Sequence, residues 1–122
     1  GHLELAKGPI PRRELAAFLR DLAGMGVTLS ITELDVLEDD RTRPVAQRDA
    51  AVAAIVADYL EVVLDNPAVT SVVTWGLSDA HSWLQDKAPV TKSAQTCAPV
   101  DCHGLNRGLP YDGRMRAKPM QR

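Results

Sequence analysis

Two carboxylates stand two residues apart in Ser30-Ile31-Thr32-Glu33-Leu34-Asp35-Val36, and a histidine, His2, sits at the start of the chain beside Leu3. Farther on, Trp75, Asp79 and Trp83 follow a run of β-branched residues. In a regular strand Glu33 and Asp35 share one face, about 6.6 Å apart along the backbone. A general acid and its partner must flank a scissile bond from opposite sides, which two neighbours on one strand do not do. The pair reads better as one reactive carboxylate and one that orients it or a nearby histidine. Acids this close repel each other, which favours a compensating donor such as His2. Taken singly, an acid at a strand end is usually a loop or helix-cap residue, and a Trp in an apolar strand is usually core. Polar chemistry at three successive strand ends argues for a site.

The elements that must position these residues are legible from pattern. Pro11 suits a first helical turn, and Leu15, Phe18, Leu19 and Leu22 follow at helical spacing, so a helix is expected from Pro11 to Ala23, closed by Gly24 and Gly26. Val27 to Thr32 alternates apolar and small polar residues and reads as a strand running into Glu33 and Asp35. A charged loop, Glu38 to Arg43, precedes a second helix that starts near Pro44. That helix carries Val52, Ile55, Val56, Tyr59, Leu60, Val63 and Leu64, reads as core packing, and ends at Asn66-Pro67. Val69 to Trp75 reads as a buried strand; turn residues dominate from Gly76 to Gly113, and residues 114–122 are expected to begin another helix.

Strands alternating with helices imply parallel strands joined by right-handed crossovers. A (β/α)₈ barrel of about 250 residues allots about 31 to each unit. His2 to Glu33 is 31 positions and Glu33 to Trp75 is 42, the acidic loop being an insertion. The expected architecture is α/β, about the last three βα units of a (β/α)₈ barrel, with residues 1–122 forming one C-terminal piece of a single domain. An open doubly wound sheet is the alternative, but it would want a Gly-rich phosphate turn that this sequence lacks. The ends read as cut, with Gly rather than Met at position 1 and no leader pattern. Three strands cannot close a barrel, so poor stability and aggregation of the isolated chain are expected.

Composition narrows the function classes. Of the 122 residues, 45% are hydrophobic and 25% charged, which suits a globular protein rather than a disordered one. The net charge of −2 offers no basic surplus for phosphates, so no nucleic acid is expected as partner. No run of about 18 apolar residues occurs, so no membrane span is expected.

The strand-end residues carry a pattern. Ser30-Ile31-Thr32-Glu33-Leu34-Asp35-Val36, followed by Val73-Thr74-Trp75-Gly76-Leu77-Ser78-Asp79-Ala80-His81-Ser82-Trp83-Leu84, resembles glycoside hydrolase family 10, the retaining endo-β-1,4-xylanases. Leu109-Pro110-Tyr111-Asp112 with Lys118-Pro119 resembles the family's closing segment, and Gly1-His2-Leu3 the end of its sixth strand. The resemblance spans essentially the whole chain. It implies that Glu33 is the catalytic nucleophile, that Asp35 orients the site histidine, and that His2 is that histidine, touching the sugar beside the scissile bond and tuning the nucleophile. Trp75 and Trp83 would flank the donor sugar, flat faces against the pyranose ring and indole N–H groups free to donate.

The resemblance further implies a monomeric, secreted or periplasmic parent enzyme acting on xylan or xylo-oligosaccharides with no cofactor and no metal. The family's general acid/base, a Glu after an Asn on the fourth strand, is not in this sequence, so the 122 residues alone are expected to be inactive. His81 stands where the family commonly has Tyr, a change expected to alter substrate contacts and leave the chemistry alone. Cys97 and Cys102, five apart in a long loop, are expected to form a disulfide hairpin in a secreted hydrolase; free thiols or a zinc site with His103 are the alternatives. Glu38-Asp39-Asp40 is expected to be a solvated loop, a rim or divalent-ion role being the alternative. Rival functions are a related barrel glycosidase acting on cellulose or mixed-linkage glucan, and a non-catalytic carbohydrate-binding remnant.

Overall fold

Parallel pairing follows from the helix between each pair of strands, and the order along the sheet is the order in sequence. The computed structural model describes residues 1–38, 40, 43–87 and 105–121. Strand β1 (His2–Glu4) leads through a 3₁₀ turn at Leu5–Lys7 to helix α1 (Arg12–Gly24), strand β2 (Leu29–Leu37), helix α2 (Val45–Leu64) and strand β3 (Val69–Thr74). The sheet order is β1-β2-β3, parallel throughout. Past β3 come a 3₁₀ turn at Asp79–His81 and the single-turn helix α3 (Leu84–Lys87).

The core lies between the outer face of this sheet and α2. Leu3, Leu34, Val36, Val52, Ile55, Val56, Tyr59 and Val63 form it together with Leu19 of α1. Val36, Val52 and Val63 have no exposed surface, and full burial of such a side chain contributes about 1.5–3 kcal/mol. Arg12 of α1 reaches both Asp58 and Glu61 of α2, fixing the two helices side by side. At the far end of α2, Asn66 closes the turn into β3 by accepting from the Ala68 N–H at 3.0 Å. Of the apolar stripe on α1, Leu19 is buried but Phe18 is 58% exposed, on a flank where the described chain supplies no neighbour.

A bulge shapes the strand that matters most. Ile31 pairs with Val72 and Leu34 with Thr74, so three steps along β2 match two along β3. One extra residue therefore sits at Thr32–Glu33, and the parity of the strand changes there. Leu29 and Ile31 pack toward the core before the bulge, Leu34 and Val36 after it. Glu33 and Asp35 are left together on the opposite face.

Three expectations need correction. Strand β3 is not buried: none of Val69–Thr74 is enclosed and Val73 is 53% exposed, because among the described residues β3 is paired on one side only, by β2. Among the described residues past 113 no α-helix begins where one was expected over 114–122: a 3₁₀ turn at Pro119–Gln121 forms. The backbone is committed elsewhere, because Asp112 accepts from the N–H groups of Arg114 and Arg116, Met115 adopts φ 59°, and Tyr111 pairs with Ala117. Burial opposes the charge on Asp112, but those N–H groups and the Arg116 guanidinium outweigh it and hold the carboxyl below its ordinary value. Nor is Glu38 part of a solvated acidic run. It is 1% exposed and forms a two-pronged pair with the buried Arg48, at 2.9 and 2.6 Å. Burying a carboxylate is costly unless it is paired and hydrogen-bonded, and Arg48 on the first turns of α2 meets that need. Asp39, Cys97, Cys102 and His103 lie outside the described residues.

Candidate active site

In a parallel α/β sheet, side chains at the carboxyl ends of neighbouring strands converge on one mouth. His2 on β1 is the register partner of Asp35 on β2, which puts the two side chains on the same face. His2 Nδ1 lies 2.7 Å from Asp35 Oδ1, and His2 Nε2 lies 3.0 Å from Glu33 Oε2. The imidazole thus bridges the two carboxylates. The second oxygen of Asp35 accepts from the Trp83 indole Nε1–H at 2.7 Å. Trp83 and His2 also meet edge to face, ring centroids 5.3 Å apart and planes at 70°, a favoured aromatic geometry.

Exposure sorts the two acids. The Asp35 side chain has no exposed surface, whereas those of Glu33 and His2 are each 41% exposed. Asp35 is enclosed with both oxygens engaged, so it can orient but has no lone pair directed at solvent. Glu33 is the carboxylate that a molecule in the cleft can reach.

The hydrogen bonds constrain the protons. An ionised Asp35 only accepts, so Nδ1 of His2 carries a hydrogen. A second proton then lies between Nε2 and Glu33, either on the ring, giving imidazolium and carboxylate, or on Glu33. With the proton on the ring, His2 is a cation held between two carboxylates, and Glu33 presents an oriented, reachable oxygen.

Trp75 is placed at the carboxyl end of β3, where its backbone N–H donates to Leu34 O at 3.0 Å. Its side chain is 47% exposed, and among the described residues no side-chain hydrogen bond ties it to Glu33, His2 or Asp35. Asp79, the third polar residue at that strand end, is turned inward. Its oxygens take the Leu109 N–H at 3.1 Å and Lys118 Nζ at 2.8 Å. Burial raises the Asp79 carboxyl and lowers the Lys118 ammonium, each against the attraction of the other. His81 is the exposed last residue of the 3₁₀ turn just before Trp83. No cluster of three or more metal-ligating side chains occurs among the described residues.

Sequence reasoning brought out every member of the cluster but not what holds it. Gln85 and Asn106 lock the Trp83 turn to the end of β2 (Gln85 Oε1 accepts the Asn106 N–H at 2.8 Å, and Asn106 Nδ2 donates to Glu38 O at 2.7 Å). Nothing in the spacing of these two residues, 21 apart in sequence, signals the pairing.

An exposed carboxylate bridged by a histidine to an enclosed one, with indoles beside them at the strand ends of a parallel sheet, is an arrangement of polar groups on part of a (β/α)₈ barrel. The chain belongs to Glycosyl hydrolase family 10, whose sequence profile matches residues 1–121. It is 35% identical over 97 residues to endo-1,4-beta-xylanase 5 of Pyricularia oryzae, a match covering 77% of this chain and 23% of that protein. Endo-1,4-beta-xylanase A of Caldicellulosiruptor saccharolyticus is 36% identical over 76 residues, 56% of this chain and 22% of that one. In fold it is similar to xylanase 10B of Thermotoga petrophila RKU-1, solved in complex with xylobiose, at a TM-score of 0.72 and 24% identity, covering 98% of this chain and 32% of that one. The chain thus spans about a quarter of the curated relatives it matches.

Proposed function

We propose that residues 1–122 are the C-terminal part of a single catalytic barrel, that of a retaining endo-β-1,4-xylanase, with Glu33 as its nucleophile. The observation that supports this best is the chain Glu33–His2–Asp35–Trp83. It leaves one carboxylate oriented and reachable while the other is enclosed and spent on orientation. The xylanase names of the relatives support xylan or xylo-oligosaccharide as substrate.

In the first step a Glu33 oxygen bonds to the anomeric carbon while the glycosidic C–O bond breaks, and the leaving oxygen takes a proton from an acid outside this chain. In the second, water attacks the same carbon, Glu33 leaves as carboxylate, and the water's proton returns to that acid. His2, protonated on both nitrogens, holds the Glu33 oxygen in place and is held in turn by Asp35. Trp83 adds an aromatic wall beside His2, and the half-exposed face of Trp75 is available to a pyranose ring. Two carboxylates and water suffice, so no cofactor or metal enters the scheme. The reading includes a secreted, monomeric parent and a Cys97–Cys102 disulfide; without the missing acid the 122 residues alone would not turn over.

Active-site trapping tests this. The complete barrel is incubated with a 2-fluoro-xylobioside bearing a good leaving group, digested, and the added mass located. A label on Glu33 is the expected result. A label on another carboxylate overturns the residue assignment, and no label with no release from xylan favours the β-glucan enzyme or a non-catalytic sugar-binding remnant. Rates on xylan and cellulose oligomers side by side separate the last two.

A further inference from the structure

Trp83 sits in a segment with little local structure to hold it. It lies between a three-residue 3₁₀ turn and a four-residue helix, both far too short to be stable by themselves. Yet its indole N–H is delivered to a buried carboxylate at 2.7 Å. Segment 109–118 anchors the start of the turn through Ser78 and Asp79; beyond it, the constraint comes from two amides. Gln85, two residues on, donates through Nε2 to Asp79 O at 2.7 Å and to Asn106 O at 3.0 Å, while its Oε1 accepts the Asn106 N–H at 2.8 Å. Both amide hydrogens and the amide oxygen are used, so the side chain copies a strand-like pairing with the Asn106 backbone. Asn106, 1% exposed, continues the path: Nδ2 donates to Glu38 O at 2.7 Å and Oδ1 accepts the Gly108 N–H at 2.9 Å. Glu38 directly follows β2, the strand that bears Glu33 and Asp35.

Resting on the functional reading above, we propose that Gln85 and Asn106 are a positioning pair for the reaction. They tie the turn carrying Trp83 to the end of β2, and so set the Trp83–Asp35 hydrogen bond and, through Asp35 and His2, the orientation of Glu33. Neither touches the reacting atoms. They act only through Trp83.

That claim has a consequence which a merely structural role does not share: the effect of Gln85 disappears once the Trp83 N–H is gone. The test is a double-mutant cycle in the complete barrel, with Q85M (shape kept, all three hydrogen bonds lost), W83F and the pair, assayed on a xylo-oligosaccharide. The indole N–H resonance of Trp83 is followed in parallel, assigned by its absence from W83F. Q85M is expected to lower kcat/KM on the order of tenfold, chiefly through kcat, since small misplacements of a reacting group are costly in rate. In the W83F background the same change is expected to cost less than about twofold. The Trp83 resonance should move or broaden in Q85M. An equal loss in both backgrounds, or an unmoved resonance, overturns the proposal. If Q85M does not fold, N106L, which keeps the shape and loses the donor to Glu38 O and the acceptor for the Gly108 N–H, is put through the same cycle with the same expectations. A complete barrel with no turnover would overturn the functional reading instead, and the resonance would still decide whether the pair positions Trp83.

Discussion

The indole N–H of Trp83 and the carboxylate of Asp35 meet at 2.7 Å across 48 residues of sequence, on the one oxygen that His2 does not use. Asp35 therefore has two donors in fixed directions and no exposed surface. It acts as a template: whichever atoms it presents decide which nitrogen of His2 carries a proton, and so what Glu33 faces.

Replacing Asp35 by Asn reads that template directly. The Trp83 N–H can only donate, so the Asn oxygen must turn toward it and the amide nitrogen toward His2 Nδ1. Nδ1 then becomes an acceptor, and His2 faces Glu33 as a neutral ring protonated on Nε2. Exchanging the orienting carboxylate for an amide in this way removes the Nδ1 proton and the positive charge that faces Glu33, and D35N is expected to lose on the order of a hundredfold or more in kcat. Steady-state kinetics of the complete barrel, with nitrogen NMR of the His2 ring, checks both halves. Activity within about threefold of the parent would sink the template idea.

Trp83→Phe keeps an aromatic ring near His2 but deprives a buried oxygen of its donor. Leaving a buried acceptor unsatisfied costs about 1–3 kcal/mol, so W83F should lower the thermal midpoint measurably. Trp75 is the control. It is 47% exposed and its indole makes no hydrogen bond among the described residues, so W75F should change stability by no more than about 0.5 kcal/mol while weakening sugar binding. Equal midpoints for W83F and W75F would contradict the assignment.

The strand-end residues could be read from sequence because their types are rare at such positions and the strand-helix alternation places them. The bulge at Thr32–Glu33 was also written there, in the switch of apolar positions from Leu29 and Ile31 to Leu34 and Val36, but a reading that assumes regular alternation passes over it. The partner of Glu38 was harder to see. Glu38 looks like the start of an acidic loop, and only its distance from Arg48, set by how α2 docks, turns it into a buried pair. Asp79 presents the same difficulty in reverse: it stands among site residues in sequence and points away from them in space, toward Lys118 thirty-nine positions on. Long-range pairing of polar groups leaves no periodic trace, so these contacts depend on the tertiary fold.

Gly108 shows how closely the returning segment lies on β2. Its carbonyl accepts the Val36 N–H at 3.2 Å, and a Cβ added to it would overlap the Val36 carbonyl oxygen, which is backbone and cannot rotate away. G108A is expected to cost at least about 2 kcal/mol, as overpacking a fixed site does, and to disturb Asn106 with it. Gly24, at the end of α1, has open space around an added Cβ, so G24A should be neutral or stabilising by up to about 1 kcal/mol. Thermal midpoints of the two variants compared with the parent decide it; equal shifts would show that segment 105–109 does not lie against β2.

The Asp79–Lys118 pair carries a pH signature. Burial raises the Asp79 carboxyl even with Lys118 at 2.8 Å pulling it down. In Lys118→Met that pull is gone, the Leu109 N–H remains the direct donor, and the carboxyl rises further. Stranding one member of a buried pair costs about 3–5 kcal/mol at neutral pH. A carboxyl raised in the folded state contributes stability that is full below its unfolded value, about 4, and is lost as pH rises through the folded value. The deficit of K118M should therefore be deepest near neutrality and shrink as the pH falls toward about 4. The double variant D79N/K118M lacks the Asp79 carboxyl and keeps only Asp49, which is paired with Arg107, so its difference from the parent should follow pH far less. Midpoints measured for all three proteins across that range test the pair, and a K118M deficit that stays constant with pH would show that Asp79 is not buried against Lys118.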